Sequence, residues 1–216
     1  METTNTPGLR ESKKLRTRRH LAATALELFL ERGFDAVSVA DVAAAAEVSK
    51  PTLFRYFPTK EDLVLDRFAD HQDEAARVVR ERPAGLTPVG AVHAHYTAAL
   101  AAHDPATGLS DLPDIVDFMR LLYGTGSLRA RVAHYTEREV ELLAEALEAE
   151  GVPAFTARLS AVHLVAARHE LGLANWARMA AGASAAEALP DALADADRAF
   201  AMLATGLDGV LPIRPA

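Results

Sequence analysis

Between Ser38 and Asp62 the sequence starts three helices in quick succession, and this punctuation constrains the fold more tightly than any other feature of the chain. Ser38 precedes Val39 with Asp41 three residues on, an N-cap with a short acidic partner. The helix it starts is predicted to run through Val42 to about Ala46, and Glu47, Val48 and Ser49 form the next break. Ser49 is a second N-cap, and Pro51 falls in the first turn, where the missing N–H has no helical partner to lose. This helix, Lys50 to Phe57, is stopped by Pro58, and Thr59 with Asp62 starts another through Leu63, Leu65 and Phe68. Upstream, Ala22, Ala25, Leu26 and Phe29 form one stripe of a first helix that ends at Gly33. Two short helices joined by a three-residue turn have the geometry of a helix-turn-helix, with an ordinary helical hairpin as the alternative.

Downstream the apolar spacing stays helical, and no alternating stretch bounded by hairpin signals suggests a sheet. Loop signals at 83–88, 104–108, 124–126, 151–153 and 182–185 separate five further helices. The expected fold is therefore all-α with about nine helices. A basic flexible arm is expected over residues 1–14, a helix-turn-helix domain over 15–75 and a second helical domain over 76–216.

The chain's net charge of −7 is unevenly distributed. Residues 1–60 hold ten Lys/Arg against seven Asp/Glu, whereas the rest hold thirteen against twenty-three. All four lysines (Lys13, Lys14, Lys50, Lys60) lie in the first part, and Arg10, Lys13, Lys14, Arg16, Arg18 and Arg19 form its densest block. Such asymmetry marks a basic end on an acidic body. Cysteine is absent, which excludes disulfides, thiolate catalysis and Cys-based zinc sites. The polar start from Met1 to Arg10 and the lack of a long apolar run point to a cytoplasmic protein without membrane contact.

Enzymatic readings find little support. His169-Glu170 opens a zinc-protease pattern, but position 173 is Leu where the second His belongs. His93 and His95 are two apart and point in different directions on a helix. The sequence has neither a phosphate-cradling glycine loop followed by lysine nor a Gly-x-Ser-x-Gly elbow. No enzyme activity, cofactor or metal is expected.

The segment from Arg18 to Leu63 carries a recognisable series: Ala25, Leu28-Phe29, Gly33-Phe34, Ser38 to Ala43, Val48-Ser49, and Thr52 to Leu63. It resembles the DNA-binding domain of the TetR/AcrR family of transcriptional regulators. Two positions depart from the family pattern: Glu47 stands where glycine is usual and Phe54 where tyrosine is usual. The resemblance implies a ligand-responsive regulator, expected to repress, that binds a palindromic operator as a homodimer and is released by a small apolar or acyl-type effector. An architectural DNA-binding protein without a ligand is the second reading.

Within the recognition helix, Leu53 and Phe57 at i, i+4 commit one face to packing. Lys50, Pro51, Thr52, Phe54, Arg55 and Tyr56 are left facing outwards. Lys50 and Arg55 suit guanine O6 and N7, Pro51 and Phe54 a thymine methyl, and Thr52, Tyr56, Lys60 and Ser38 the phosphates. Arg16 and Arg19, in the basic stretch from Lys13, are expected along the backbone or in the minor groove.

The last two predicted helices carry the interface pattern. Phe155, Leu159, Val162, Ala166, His169, Leu173, Trp176 and Ala180 alternate by four and three, as do Leu189, Leu193, Ala196, Phe200, Leu203, Leu207 and Val210. Candidate pocket residues are those that interrupt apolar faces: Tyr96, Phe118, Leu122, Tyr123, His134, His163, Asn175 and Trp176. The segment 168–181 is similar to mycofactocin-regulator-like members, which implies an acyl-CoA-like ligand; its negative charge would call on Arg120, Arg131, Arg168 or Arg178.

Overall fold

Ten α-helices, with no strand among the described residues, realise this pattern in the computed structural model, which describes residues 9–69, 71–207 and 211. They are α1 (Leu9–Arg32), α2 (Val39–Ala45), α3 (Lys50–Tyr56), α4 (Lys60–Ala69), α5 (Glu74–Glu81), α6 (Pro88–Ala101), α7 (Pro113–Gly124), α8 (Gly126–Glu148), α9 (Ala154–Ala180) and α10 (Ala185–Leu207). A single 3-10 turn, Pro105–Thr107, lies between α6 and α7.

Two of these boundaries differ from the sequence reading. The first helix begins at Leu9, so residues 9–14, expected within a flexible arm, are its opening turns; residues 1–8 lie outside the described residues. The stretch 59–82 contains neither Gly nor Pro, and its periodicity reads as one helix. In the structure it is two, α4 and α5. Tertiary bonds hold the break: the Gln72 amide donates to the Tyr135 carbonyl at 3.2 Å, and Glu74 at the head of α5 meets Arg168 at 3.0 Å.

The chain divides into two compact units. The first comprises the described residues up to Arg67 together with Leu121–Arg129, and the second comprises 68–120 and the described residues from Ala130 on. The sequence places a boundary near residue 75 and gives no sign that the α7–α8 corner joins the first unit. Leu122 and Leu128 from that corner are fully buried.

In the first unit, α1 contributes Leu21, Ala25 and Phe29, which are buried to 1% exposure or less. Ser38 and Asp41 form a reciprocal capping box, Ser38 Oγ accepting from the Asp41 amide at 3.2 Å and the Ser38 amide donating to Asp41 Oδ2 at 2.8 Å. Thr59 and Asp62 repeat the device at the head of α4. Between α2 and α3 the Val48 amide reaches back to the Ala43 carbonyl at 2.9 Å and the Glu47 amide to Ala44 at 3.1 Å, closing α2 with a Schellman turn. Glu47 occupies its left-handed position at φ 55°, where a side chain costs about 1 kcal/mol that glycine avoids.

In the second unit, α10 packs on α6 and α9, and α5 on α6. Phe200 of α10, 1% exposed, meets the His93 ring in a stack at 4.9 Å and the Tyr96 ring at 6.1 Å. The 3-10 turn lies against α9 at a point with no space for a side chain. Gly108, at φ 74°, would bring a Cβ within 2.3 Å of the Gly172 carbonyl oxygen. Asn175 fastens the same spot, donating to the Thr107 carbonyl at 2.9 Å. Gly108→Ala is expected to lower stability by about 2 kcal/mol or more, from left-handed strain and forced separation of the turn from α9. A thermal melt against wild type measures this, and an unchanged midpoint would contradict the close approach.

Candidate nucleic-acid interface

A seven-residue helix is too short to persist alone, so α3 exists because the first unit holds it. Leu53 and Phe57 are fully buried beneath it, and Ser49 caps it, accepting from the Thr52 amide at 3.2 Å. The pinned face dictates the free one. Lys50 and Phe54 lie one turn apart, as do Pro51 and Arg55, and all four are exposed. Phe54 is 47% exposed, whereas Phe29, Phe34 and Phe57 of the same unit are at 5% or less. The outcome is a patch two residues wide, with one cation and one apolar group on each turn.

The other expected contacts differ in their settings. Arg16 and Arg19 are exposed on α1, where Lys13 and Lys14 are exposed as well. Thr52 and Ser38 are engaged in capping: Thr52 Oγ1 lies 2.8 Å from Ser49 Oγ, and Ser38 Oγ donates to Asp41 Oδ2 at 2.6 Å. These bonds from Ser38 hold the Asp41 carboxyl below its ordinary pKa. Tyr56 is half-buried, with the Arg55 guanidinium 5.6 Å from its ring centre.

Lys60, expected at a phosphate, is turned inwards. Its ammonium donates to the Phe34 carbonyl and lies 4.2 Å from the Phe34 ring and 5.5 Å from the Phe29 ring. The reason is local: the turn after α1 presents a carbonyl flanked by two aromatic faces, and a cation there has both a bond and a quadrupole to meet. Arg18, read with the basic block, is likewise engaged within the unit: it pairs with Asp66 at 2.6 Å and donates to the Tyr56 carbonyl at 3.0 Å. The sequence holds no signal for either bond, because the partners lie 26 to 48 residues away.

The expected pocket residues do not form one group. Tyr96 and Asn175 are buried and joined, the Asn175 amide donating to the Tyr96 hydroxyl at 3.3 Å, and Trp176 packs on the same core. Burial raises the Tyr96 phenol to about 12, so it stays a neutral donor. Phe118 is buried on α7, whereas Leu122 and Tyr123 belong to the first unit. His134 and His163 are exposed, which corrects their assignment to an interior. The buried face of α9 near His163 is Ala157, Ser160, Ala161, Leu164 and Val165, from which that residue is rotated away. On α8 the core takes Val132 and Val140, and His134 follows Val132 by two positions, about 200° around the helix.

Arg120, Arg168 and Arg178, offered for an anionic ligand, are engaged within the chain. Arg120 pairs with Asp117 at 3.2 Å, Arg178 bridges Asn175 and Asp195, and Arg168 joins Glu74 at 3.0 Å to Glu139. His95 Nε2 lies 3.2 Å from the same Glu74 carboxylate. The His71 ring, then Arg168 and His95, hold the Glu74 carboxyl down at about 2, while burial pushes Glu139 up. Among the described residues no group of His, Asp and Glu is arranged to hold a metal, and no helix is long and apolar enough to cross a membrane.

Arg168→Met should cost about 3 kcal/mol or more at pH 7, because it leaves the largely buried Glu139 carboxylate without its cation beside Glu74, which keeps His71 and His95. The loss should shrink as pH falls towards about 4.5, since the orphaned Glu139 then binds a proton that the unfolded chain does not yet hold. Denaturant melts across that range decide it, and a loss independent of pH would mean the Glu139 carboxylate is not the cause.

The sequence profile described as "Bacterial regulatory proteins, tetR family" matches residues 21–66, the segment that contains the second half of α1, all of α2 and α3 and most of α4. The HTH-type transcriptional regulator TcmR of Streptomyces glaucescens is 35% identical over 152 residues, covering 69% of this chain and 67% of that one. The putative mycofactocin biosynthesis transcriptional regulator MftR of Mycobacterium tuberculosis is 42% identical over 55 residues, covering 26% of this chain and 28% of that one. Among solved structures, Salmonella enterica GusR superposes with a TM-score of 0.55 at 18% identity, covering 95% of this chain and all of that one, a likeness of fold.

Proposed function

This chain belongs to the TetR family of bacterial regulatory proteins, and we propose that it is a ligand-responsive repressor whose α3 reads a palindromic operator in the major groove. The observation that carries the proposal is the exposed patch of Lys50, Pro51, Phe54 and Arg55 on a helix whose opposite face is fully buried. A recognition helix presents its N-terminal residues to base edges, where Lys50 and Arg55 donate to guanine and the apolar pair meets thymine methyls. Arg16 and Arg19 supply phosphate contacts. Lys60, held against Phe34, supports the fold of the unit.

Two copies are needed for a palindrome, and α9 offers the surface. Phe155 is 78% exposed, Leu159 43% and Val162 39%, forming an apolar stripe that a monomer leaves in water. Ala166 and Ala180 continue it as exposed small residues, while His169, Leu173 and Trp176 are half-buried. Of the α10 stripe, Ala196 and Phe200 are core residues, Leu189, Leu193, Leu203 and Leu207 pack against that core, and Val210 lies outside the described residues. Met202, 73% exposed, belongs to the outer side of α10. Two α3 helices related by a two-fold axis would read half-sites about 34–36 Å, one turn of DNA, or a multiple of it apart.

The effector is proposed to be small and apolar. The ion pairs at Arg120, Arg168 and Arg178 favour this over an anionic acyl-CoA-like ligand, because an anion would have to displace a carboxylate already bound. Helices α4, α7 and α8 each contribute residues to both units. A hundredfold loss of operator affinity requires the effector to prefer the released state by about 2.7 kcal/mol, and operator must weaken effector binding by the same factor.

Selection from random duplex DNA should yield an inverted repeat. On that duplex Arg55→Ala should cost about 1–3 kcal/mol and relax preference at one position of each half-site. Equal weakening on selected and scrambled duplexes would remove Arg55 from base reading.

Light scattering should give a dimer for wild type and a monomer for Phe155→Glu with Leu159→Glu. A wild-type monomer at micromolar concentration would remove the basis for a palindrome.

A further inference from the structure

Arg18 lies in the densest basic stretch of the sequence, yet its side chain is committed inside the first unit. Nε bonds Asp66 Oδ1 of α4 at 2.6 Å, Nη1 donates to the Tyr56 carbonyl at the end of α3 at 3.0 Å, and the guanidinium lies 4.6 Å over the centre of the Phe57 ring. One planar group on α1 therefore holds the exit of α3 and the body of α4 together. From this we infer that Arg18 is a positioning residue, one that fixes the angle at which the recognition helix meets DNA through the Asp66–Arg18–Tyr56 chain, and that it does not contact the nucleic acid. The inference rests on the reading of α3 as the recognition helix.

Each link in the chain has a physical reason. The carbonyls of a helix's last turn have no partner within the helix, and Tyr56 ends α3 just before Phe57 and Pro58 turn the chain away. A donor from another element fixes that end in space as well as satisfying the oxygen. Arginine suits the task because its donors are set in one rigid plane whose face also packs on a ring; lysine has neither property. Asp66 is 17% exposed and anchors the guanidinium, which otherwise would swing towards solvent and phosphate. The six residues from Tyr56 back to Lys50 span about 9 Å, so a tilt of about 10° at the clamped end moves Lys50 by about 1.5 Å. That displacement exceeds the tolerance of a hydrogen bond to a base edge.

A phosphate contact and a clamp predict opposite results at Asp66. If Arg18 serves phosphate, removing the neighbouring negative charge frees it and tightens binding. If Arg18 is a clamp, losing Asp66 loosens α3 and weakens specific binding. The experiment uses the full-length chain and a duplex obtained by selection with wild-type protein. Affinity for that duplex and for a scrambled one is measured across salt concentrations for wild type, Arg16→Ala, Arg18→Ala and Asp66→Ala, with helical content and melting point followed alongside.

Arg18→Ala and Asp66→Ala should each weaken the selected duplex about tenfold or more, change the scrambled duplex less than twofold and leave the salt slope as in wild type. Arg16→Ala should instead weaken both duplexes and lower the slope by about 1. Should Arg18→Ala fail to fold, Asp66→Ala carries the decision. Unchanged or tighter binding of the selected duplex by Asp66→Ala, or a slope lowered by about 1 in Arg18→Ala, overturns the inference while leaving the DNA-binding reading intact. A wild-type chain that enriches no sequence overturns both.

Discussion

The burial of Leu53 and Phe57 is the interaction on which α3 and its exposed patch depend. A helix as short as α3 gains too few backbone bonds to offset its nucleation, and its own capping by Ser49 adds only about 1 kcal/mol. Two fully buried large side chains contribute roughly 1.5–3 kcal/mol each. They also decide orientation, because fixing two positions a turn apart leaves the remaining side chains of the helix no choice of face. The exposed cations and apolar groups are thus consequences of what is buried beneath them.

Around that helix the unit uses its positive charge in two ways. Lys13, Lys14, Arg16, Arg19, Lys50 and Arg55 are exposed, while Arg18 and Lys60 are engaged with carbonyls, rings and, for Arg18, a carboxylate. A basic residue of this unit therefore either faces solvent or is bonded within the fold. Composition cannot tell the two apart, since both raise the local charge equally.

In the second unit polar ties set the relation of neighbouring helices. Arg82, buried at the end of α5, makes paired bonds to the Glu150 carboxylate at 2.5 and 2.6 Å, and Arg168 joins α5 to α8 from its place on α9. Apolar packing alone would tolerate sliding of one helix along another, whereas directional bonds between charged groups do not. The same pairing leaves these arginines occupied by carboxylates of the chain itself.

What the sequence determined by itself was local. Ser38 with Asp41, Ser49 with Pro51, and Thr59 with Asp62 are signals a few residues long, and each marks a helix start found in the structure. The buried pair Leu53 and Phe57 and the exposed Phe54 and Arg55 followed from helical period alone. Tertiary structure decided everything that links distant segments: the break between α4 and α5, the membership of Leu121–Arg129 in the first unit, the inward turn of Arg18 and Lys60, and the outward turn of His134 and His163. The reason is that a cap or a period is read by a residue's own neighbours in the chain. The partner of a long side chain is set by whichever carbonyl, ring or carboxylate the fold brings within about 3 Å, and no local pattern records that distance.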